Sequence, residues 1–288
     1  MDFSTINSFV NRLFNYIPDF INNTVYEKYF QFWPIFLIGL LASLFLTPII
    51  GNIALKYDIT YVPGAKRKDK EHDNPQKALH EGITPSLGGL AITIPALIII
   101  LIFFRLDSFT FPILLSLLVL VIGATLDDIF NLPAKVQLLY QIIASAIIAL
   151  SILNITSIPF INIDLDMFKW DFSILGLQQS LSFPGDLFLF LWLIVCINAV
   201  KWTAGSPGII EANSLVIFSL IFVIAIRDNS LFSSTISILM AGGLLMFLIF
   251  AFPPQKIMTG SAGKSVYGFL ICVLALVADS KISTTVML

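Results

Sequence analysis

An all-α polytopic membrane protein with about eight transmembrane helices is the fold class this sequence predicts, on three observations. Of its 288 residues, 57% are hydrophobic and only 12% are charged, against about 25% charged in an ordinary soluble domain. The mean hydropathy is +0.93. The apolar residues gather into runs of a length that crosses ~30 Å of hydrocarbon. A net charge of -2 and the lack of a basic tail leave no footprint for nucleic acid. Cys196 and Cys272 lie inside apolar runs, where a small buried hydrophobe is the expected role and no disulfide is expected.

The chain reads as two units, an N-terminal segment over 1–32 and a single multi-pass domain over 33–288. In the first, Phe3, Ile6, Phe9, Val10, Leu13 and Phe14 recur at helical spacing, which predicts an amphipathic helix lying in the membrane interface. Asp2, Asp19 and other polar interruptions deny this stretch the basic start and apolar block of a cleaved signal peptide. Apolar runs then predict spans at about 33–55, 87–104, 110–126, 136–154, 187–203, 212–226, 231–252 and 265–279. Orientation follows from Lys and Arg, which concentrate on the cytoplasmic side. Ten of the sixteen fall in loops after odd-numbered spans, including Lys66, Lys135, Lys201, Lys256 and Lys264, so those loops are expected to be cytoplasmic and both termini outside. The outside loop 155–186, with Asp164, Asp166, Asp171, Pro184 and Gly185, reads as an exposed excursion.

This topology puts every polar stretch with chemical potential on one side: "KRKDKEHDNPQKALHEGITPSLGG" (66–89), "LDDIFNLPAK" (126–135), "NAVKWTAGSPGIIEAN" (198–213) and "PPQKIMTGSAGKS" (253–265). Ionisable groups at a membrane boundary are costly to keep there, so four such loops point to a shared site. Taken singly, each residue also has a plain structural reading. Asp127 and Asp128 can cap a helix or sit in a solvated turn, Lys135 can anchor a span, His80 can be a loop histidine, and Asn198 can bond neighbouring helices.

Together the four stretches resemble a known family. "KALHEGITPSLGGLAI" is similar to the pattern RKxHxxxTPxxGGLAI, and "LDDIFNLPAKVQLLYQ" to xDDxxxLxxKxxLLxQ. Asn198, Gly205 and Gly208 fit NxxNxxDGxDGL, and "PPQKIMTGSAGKSVYGF" is similar to PPAKIFMGDSGSLxxGF. The chain from about 35 to 279 thus resembles the polyprenyl-phosphate N-acetylhexosamine-1-phosphate transferases, which begin cell-envelope glycan lipid intermediates. The resemblance implies transfer of a sugar-1-phosphate from a UDP-amino sugar to a membrane polyprenyl phosphate, with release of UMP, use of Mg²⁺, and formation of a homodimer. Two phosphates that repel each other must be screened where the lipid head meets the cytoplasm. Carboxylates there can hold Mg²⁺ through oxygen or take a proton from the attacking phosphate. By resemblance Asp127 is the base and Asp128 its electrostatic partner, both available to the metal, while Lys135, His80 and Asn198 contact substrate.

The sequence also departs from the pattern. Lys201 stands at the second Asn of the third motif, Ala204 and Pro207 at its two Asp, and Ser261 at the Asp of the fourth. The sequence ends at Leu288, before the histidine-rich cytoplasmic loop and last spans implied for longer relatives. Two readings follow. In one the site is rebuilt: Glu211, four residues after Pro207, replaces a carboxylate as a catalytic group, and Lys201 and Lys264 supply the charge of a weakened or lost metal. Gly260, Ser261 and Lys264 of "GSAGKS" then form a phosphate cradle at a helix N-terminus. In the other the chain binds lipid phosphate or nucleotide sugar without turnover. A transporter is the third class, and charges gathered at one boundary instead of the midplane weigh against it.

Overall fold

A computed structural model describes residues 29–61, 84–153, 157–158, 163–174, 176–203 and 206–278. The predicted amphipathic segment lies outside the described residues in all but its last four positions, and His80 lies outside them too.

Among the described residues, eight helices carry the fold: α1 (Trp33–Lys56), α2 (Leu90–Phe103), α3 (Thr110–Phe130), α4 (Ala134–Ala149), α5 (Gly185–Trp202), α6 (Ile209–Arg227), α7 (Leu231–Ala251) and α8 (Gly260–Val277). Each falls on one predicted span. Six are long and apolar enough to cross a membrane, whereas α2 and α4 are shorter apolar helices of 14 and 16 residues. The chain is an all-α polytopic membrane protein. Its outward surface is correspondingly apolar, with Phe45, Ile102, Ile122 and Ile249 all exposed, as expected where lipid is the solvent.

Short strands connect the helices. β1 (Thr60–Tyr61) pairs with β2 (Thr84–Pro85), and β3 (Ser157–Ile158) with β4 (Ile163–Asp164). The larger hairpin, β5 (Asp166–Ile174) with β6 (Leu177–Pro184), is antiparallel. Gly176 turns it with φ +78°, a conformation that glycine adopts without strain. The sequence reading had this stretch only as an exposed excursion. Its hairpin arises from the alternation of Phe168, Trp170 and Phe172 with polar residues, a period of two that suits a strand.

α8 sits at the centre of the bundle, packed against α3 and α5 with α6, α7 and α2 beyond, while α1 and α6 both pack on α7. Between Gly260 and Ala275 only Ser261 and Lys264 keep partial exposure. A helix so enclosed gains little from an amphipathic pattern, so the partly exposed polar residues of its first turns mark where it meets the outside of the fold.

Local chemistry sets the helix ends that matter. Asp107 Oδ1 accepts the N–H groups of Phe109 and Thr110 at 3.1 and 2.8 Å and so opens α3. At its other end Asn131 takes the left-handed conformation (φ 49°) and donates its N–H to Asp127 O, and Pro133 then opens α4. This tight α3–α4 turn lays the last turn of α3 beside the first turn of α4.

Candidate functional site

The α3–α4 turn sets Asp127 opposite Gln137. Asp127 is buried, and its Oδ1 accepts a hydrogen bond from Gln137 Nε2 at 2.9 Å. The same nitrogen donates to Leu132 O at 3.0 Å, which fixes the carboxamide in the turn. Gln137 Oε1 in turn accepts from Lys201 Nζ at 3.1 Å, so one carboxamide links a carboxylate on α3 to an ammonium on α5. One turn further along α4, Gln141 Oε1 accepts from Asn198 Nδ2 at 2.7 Å. The spacing explains the arrangement: Gln137 and Gln141 share one face of α4, Asn198 and Lys201 one face of α5, and the helices run antiparallel. The two pairs form successive rungs between them.

Asp128 points the other way, onto α8. Its Oδ1 accepts the N–H of Ser261 at 2.7 Å and its Oδ2 that of Ala262 at 3.1 Å, so a carboxylate on α3 caps α8. A negative charge there is favoured by the orphan donors and the positive end of the helix dipole. Lys264 lies within electrostatic range of the same carboxylate. Gly260 makes this possible: its φ is +72°, and a Cβ there would lie 1.8 Å from Ser86 O and 2.6 Å from Asp128 Oδ2. The segment leading into α2 is stitched to the same place, since Met258 N–H donates to Pro85 O while Gly88 and Gly89 N–H donate to the carbonyls of Met258 and Thr259, all at 2.8–2.9 Å.

Glu211, in the first turn of α6, is buried and accepts a hydrogen bond from the Thr259 hydroxyl, which immediately precedes α8. The hydroxyls of Tyr140, Ser265 and Tyr267 are also buried nearby on α4 and α8. The site is thus a polar layer around the first turns of α8, walled by α3, α4, α5 and α6.

The structure gathers Asp127, Asp128, Asn198, Lys201, Glu211, Gly260, Ser261 and Lys264 into this layer. Lys135 stands apart from its hydrogen-bond network, exposed in the first turn of α4. Gln137 and Thr259 were missed by the sequence reading. For Gln137 a signal existed, because two carboxamides four residues apart on an apolar helix share one face.

Among the described residues no three His, Cys, Asp or Glu side chains come together as a metal cage. Mg²⁺ is usually held by one or two carboxylates with substrate phosphates and water. Asp127 fits that mode through its second carboxylate oxygen. Asp128 fits it poorly, because a backbone N–H already engages each of its oxygens.

The model of the family described as Glycosyl transferase family 4 matches residues 109–279, a stretch that runs from the start of α3 to the end of α8. Curated relatives agree with it. The chain is 26% identical over 249 residues to the probable undecaprenyl-phosphate N-acetylglucosaminyl 1-phosphate transferase of Bacillus subtilis, covering 85% of this chain and 63% of that protein. It is 24% identical over 269 residues to the phospho-N-acetylmuramoyl-pentapeptide-transferase of Halalkalibacterium halodurans, covering 86% of this chain and 76% of that protein. The corresponding transferase of Latilactobacillus sakei is 25% identical over 264 residues, with 85% and 79% covered.

Proposed function

Because the chain belongs to glycosyl transferase family 4, we propose that it transfers a sugar-1-phosphate from a UDP-amino sugar to a membrane polyprenyl phosphate. The observation that carries this reading is the convergence of Asp127, Gln137 and Lys201 with the Asp128-capped start of α8 at one end of the helices. The site faces the cytoplasm on the Lys and Arg asymmetry, where a nucleotide sugar is found and a lipid phosphate can present its head.

In this reaction an oxygen of the lipid phosphate attacks the phosphorus that carries the sugar. A new P–O bond forms, the bond to the uridine-bearing phosphate breaks, and UMP leaves. Asp127 accepts a proton from the attacking phosphate when that oxygen carries one. Its partner Gln137 fixes the direction of the carboxylate and holds the Lys201 ammonium beside it. Lys201 and Lys264 offset charge on the diphosphate, and such charges fixed in advance act without reorganisation. Asp128 works on α8, holding its first turn, and Glu211 does the same through Thr259. Asp127 would hold Mg²⁺ together with the substrate phosphates, and the ion when bound adds further charge neutralisation.

A second reading, binding of lipid phosphate or nucleotide sugar without turnover, is favoured by one observation: Asp128 and Glu211 are both engaged in holding the start of α8. Release of UMP separates the two. The purified chain with undecaprenyl phosphate and a panel of UDP-sugars is expected to release UMP only when both substrates are present. Saturable binding with no UMP would leave the binder.

A further inference from the structure

The β5–β6 hairpin stands at the opposite ends of α3 and α5 from the site and has no part in the chemistry. Strand alternation sorts β5 into two faces. Phe168, Trp170, Phe172 and Ile174 share one, and Lys169, Asp171 and Ser173 the other. Across the ladder Leu181 stands opposite Trp170 and Phe183 opposite Phe168, which extends the apolar face onto β6. That face is largely bare: Phe168 is 68% exposed, Trp170 75% and Phe183 52%.

Two tethers fix how the hairpin lies. Pro184 runs into α5 at Gly185 with no spacer. Near the other end of β6, Gln179 Nε2 donates to Ser108 O at 3.3 Å, and Ser108 lies two residues before α3 begins. The five residues between these anchors span roughly 17 Å of extended chain, so β6 runs across the ends of two membrane helices instead of projecting away from them. β6 is the inner strand, with Gln179, Ser180 and Ser182 buried, and β5 overhangs it. Gln179, opposite Phe172, lies on the aromatic face and the buried Ser180 and Ser182 on the other, so β6 is covered on both faces and only the overhanging β5, with Phe183 beside it, leaves the aromatic side bare. At this level the helices and their loops leave Leu106, Leu187 and Phe188 exposed, and the apolar surface continues from the helix wall onto the strand.

We propose that this face seats in the membrane surface: Phe168, Trp170 and Phe183 enter the boundary between headgroups and acyl chains of the leaflet at which α3 and α5 begin, and Lys169, Asp171 and Ser173 face water. Trp is favoured at that boundary because its ring is apolar and its N–H stays wet. The hairpin then holds the outer end of the α3–α5 pair at fixed depth. This inference does not depend on the transferase reading.

The test uses the full chain with Cys196→Ala and Cys272→Ala, reconstituted in phosphatidylcholine and phosphatidylglycerol liposomes. Single spin labels are placed through Phe168→Cys, Lys169→Cys, Trp170→Cys, Asp171→Cys and Ser173→Cys. The ratio of oxygen to nickel-chelate accessibility is expected to alternate, several-fold in favour of oxygen at 168 and 170 and in favour of nickel at 169, 171 and 173. Nickel access at all five would overturn the proposal by placing the hairpin in water. Exclusion of both reagents at 168 and 170 would overturn it in favour of a protein partner or a second copy. An independent arm keeps the native cysteines and compares quenching by brominated lipid in the unmodified chain and in Trp170→Phe. A quenchable component lost with Trp170→Phe supports the proposal, and identical quenching in both overturns it.

Discussion

Replacing Gln137 by Ala should disable Lys201 as well as Asp127, because one carboxamide holds both. Gln137 donates to Asp127 at 2.9 Å and accepts from Lys201 at 3.1 Å. Hydrogen bonds to charged groups contribute about 1.5–3 kcal/mol each. If each is expressed in the transition state, Gln137→Ala and Lys201→Ala each cost roughly 10- to 150-fold in turnover. Independent effects would multiply in the double variant. Residues in one network instead show coupling of about 0.5–3 kcal/mol, so the double variant should be little worse than the worse single one. Initial rates of UMP release from the four proteins complete the cycle, and calorimetric UDP-sugar affinities provide the same cycle for binding. Losses that multiply within error would refute the linkage and leave Gln137 as a local turn residue bonded to Leu132 O.

Three further outcomes follow from the same geometry. Asp127→Asn should lower turnover by at least ~100-fold, as loss of a general base does, with the melting temperature in detergent little changed because an amide oxygen can still accept from Gln137; undiminished activity would return Asp127 to a structural role. Asp128→Ala should destabilise the protein by about 0.5–2 kcal/mol, the usual cost of losing a helix cap, while Asp128→Asn keeps much of that stability, and denaturation midpoints for the pair would check it. Lys264→Ala should weaken UDP-sugar binding by roughly 10- to 150-fold, the equivalent of one charge-assisted phosphate contact, in a displacement assay; unchanged affinity in both it and Lys201→Ala would make the two lysines solvated anchors.

The helices were legible because their cause is local. A run of about twenty apolar residues can satisfy its backbone in lipid only as a helix, and each of the eight runs became one. Their ends were less legible where caps are not apolar: α8 begins at Gly260 and not at Ser265, because Asp128 from another helix supplies its cap. The β5–β6 hairpin was passed over because its acids and Pro184 suggested a loop, although Phe168, Trp170 and Phe172 already alternated. At the site, the sequence reading grouped the loops carrying Asp127, Lys201 and Ser261, and it had no means of finding the side chain that links the first two. The i, i+4 spacing of Gln137 and Gln141 marked a polar face on α4 but not its partner, since what makes Gln137 a bridge is the antiparallel contact of α4 with α5. Glu211 was read as a replacement carboxylate for the reaction, and its hydrogen bond with Thr259 at the start of α8 was not legible in the sequence.

The central claim, that this polar layer joins a sugar phosphate to a lipid phosphate, is tested most directly by identifying the product. The purified chain in nanodiscs, given undecaprenyl phosphate and UDP-amino sugars singly, should yield an undecaprenyl diphosphate sugar by mass spectrometry in a one-to-one ratio with UMP, and Asp127→Asn should yield neither at a comparable rate. Both substrates recovered unchanged from a chain that binds them saturably would contradict the account.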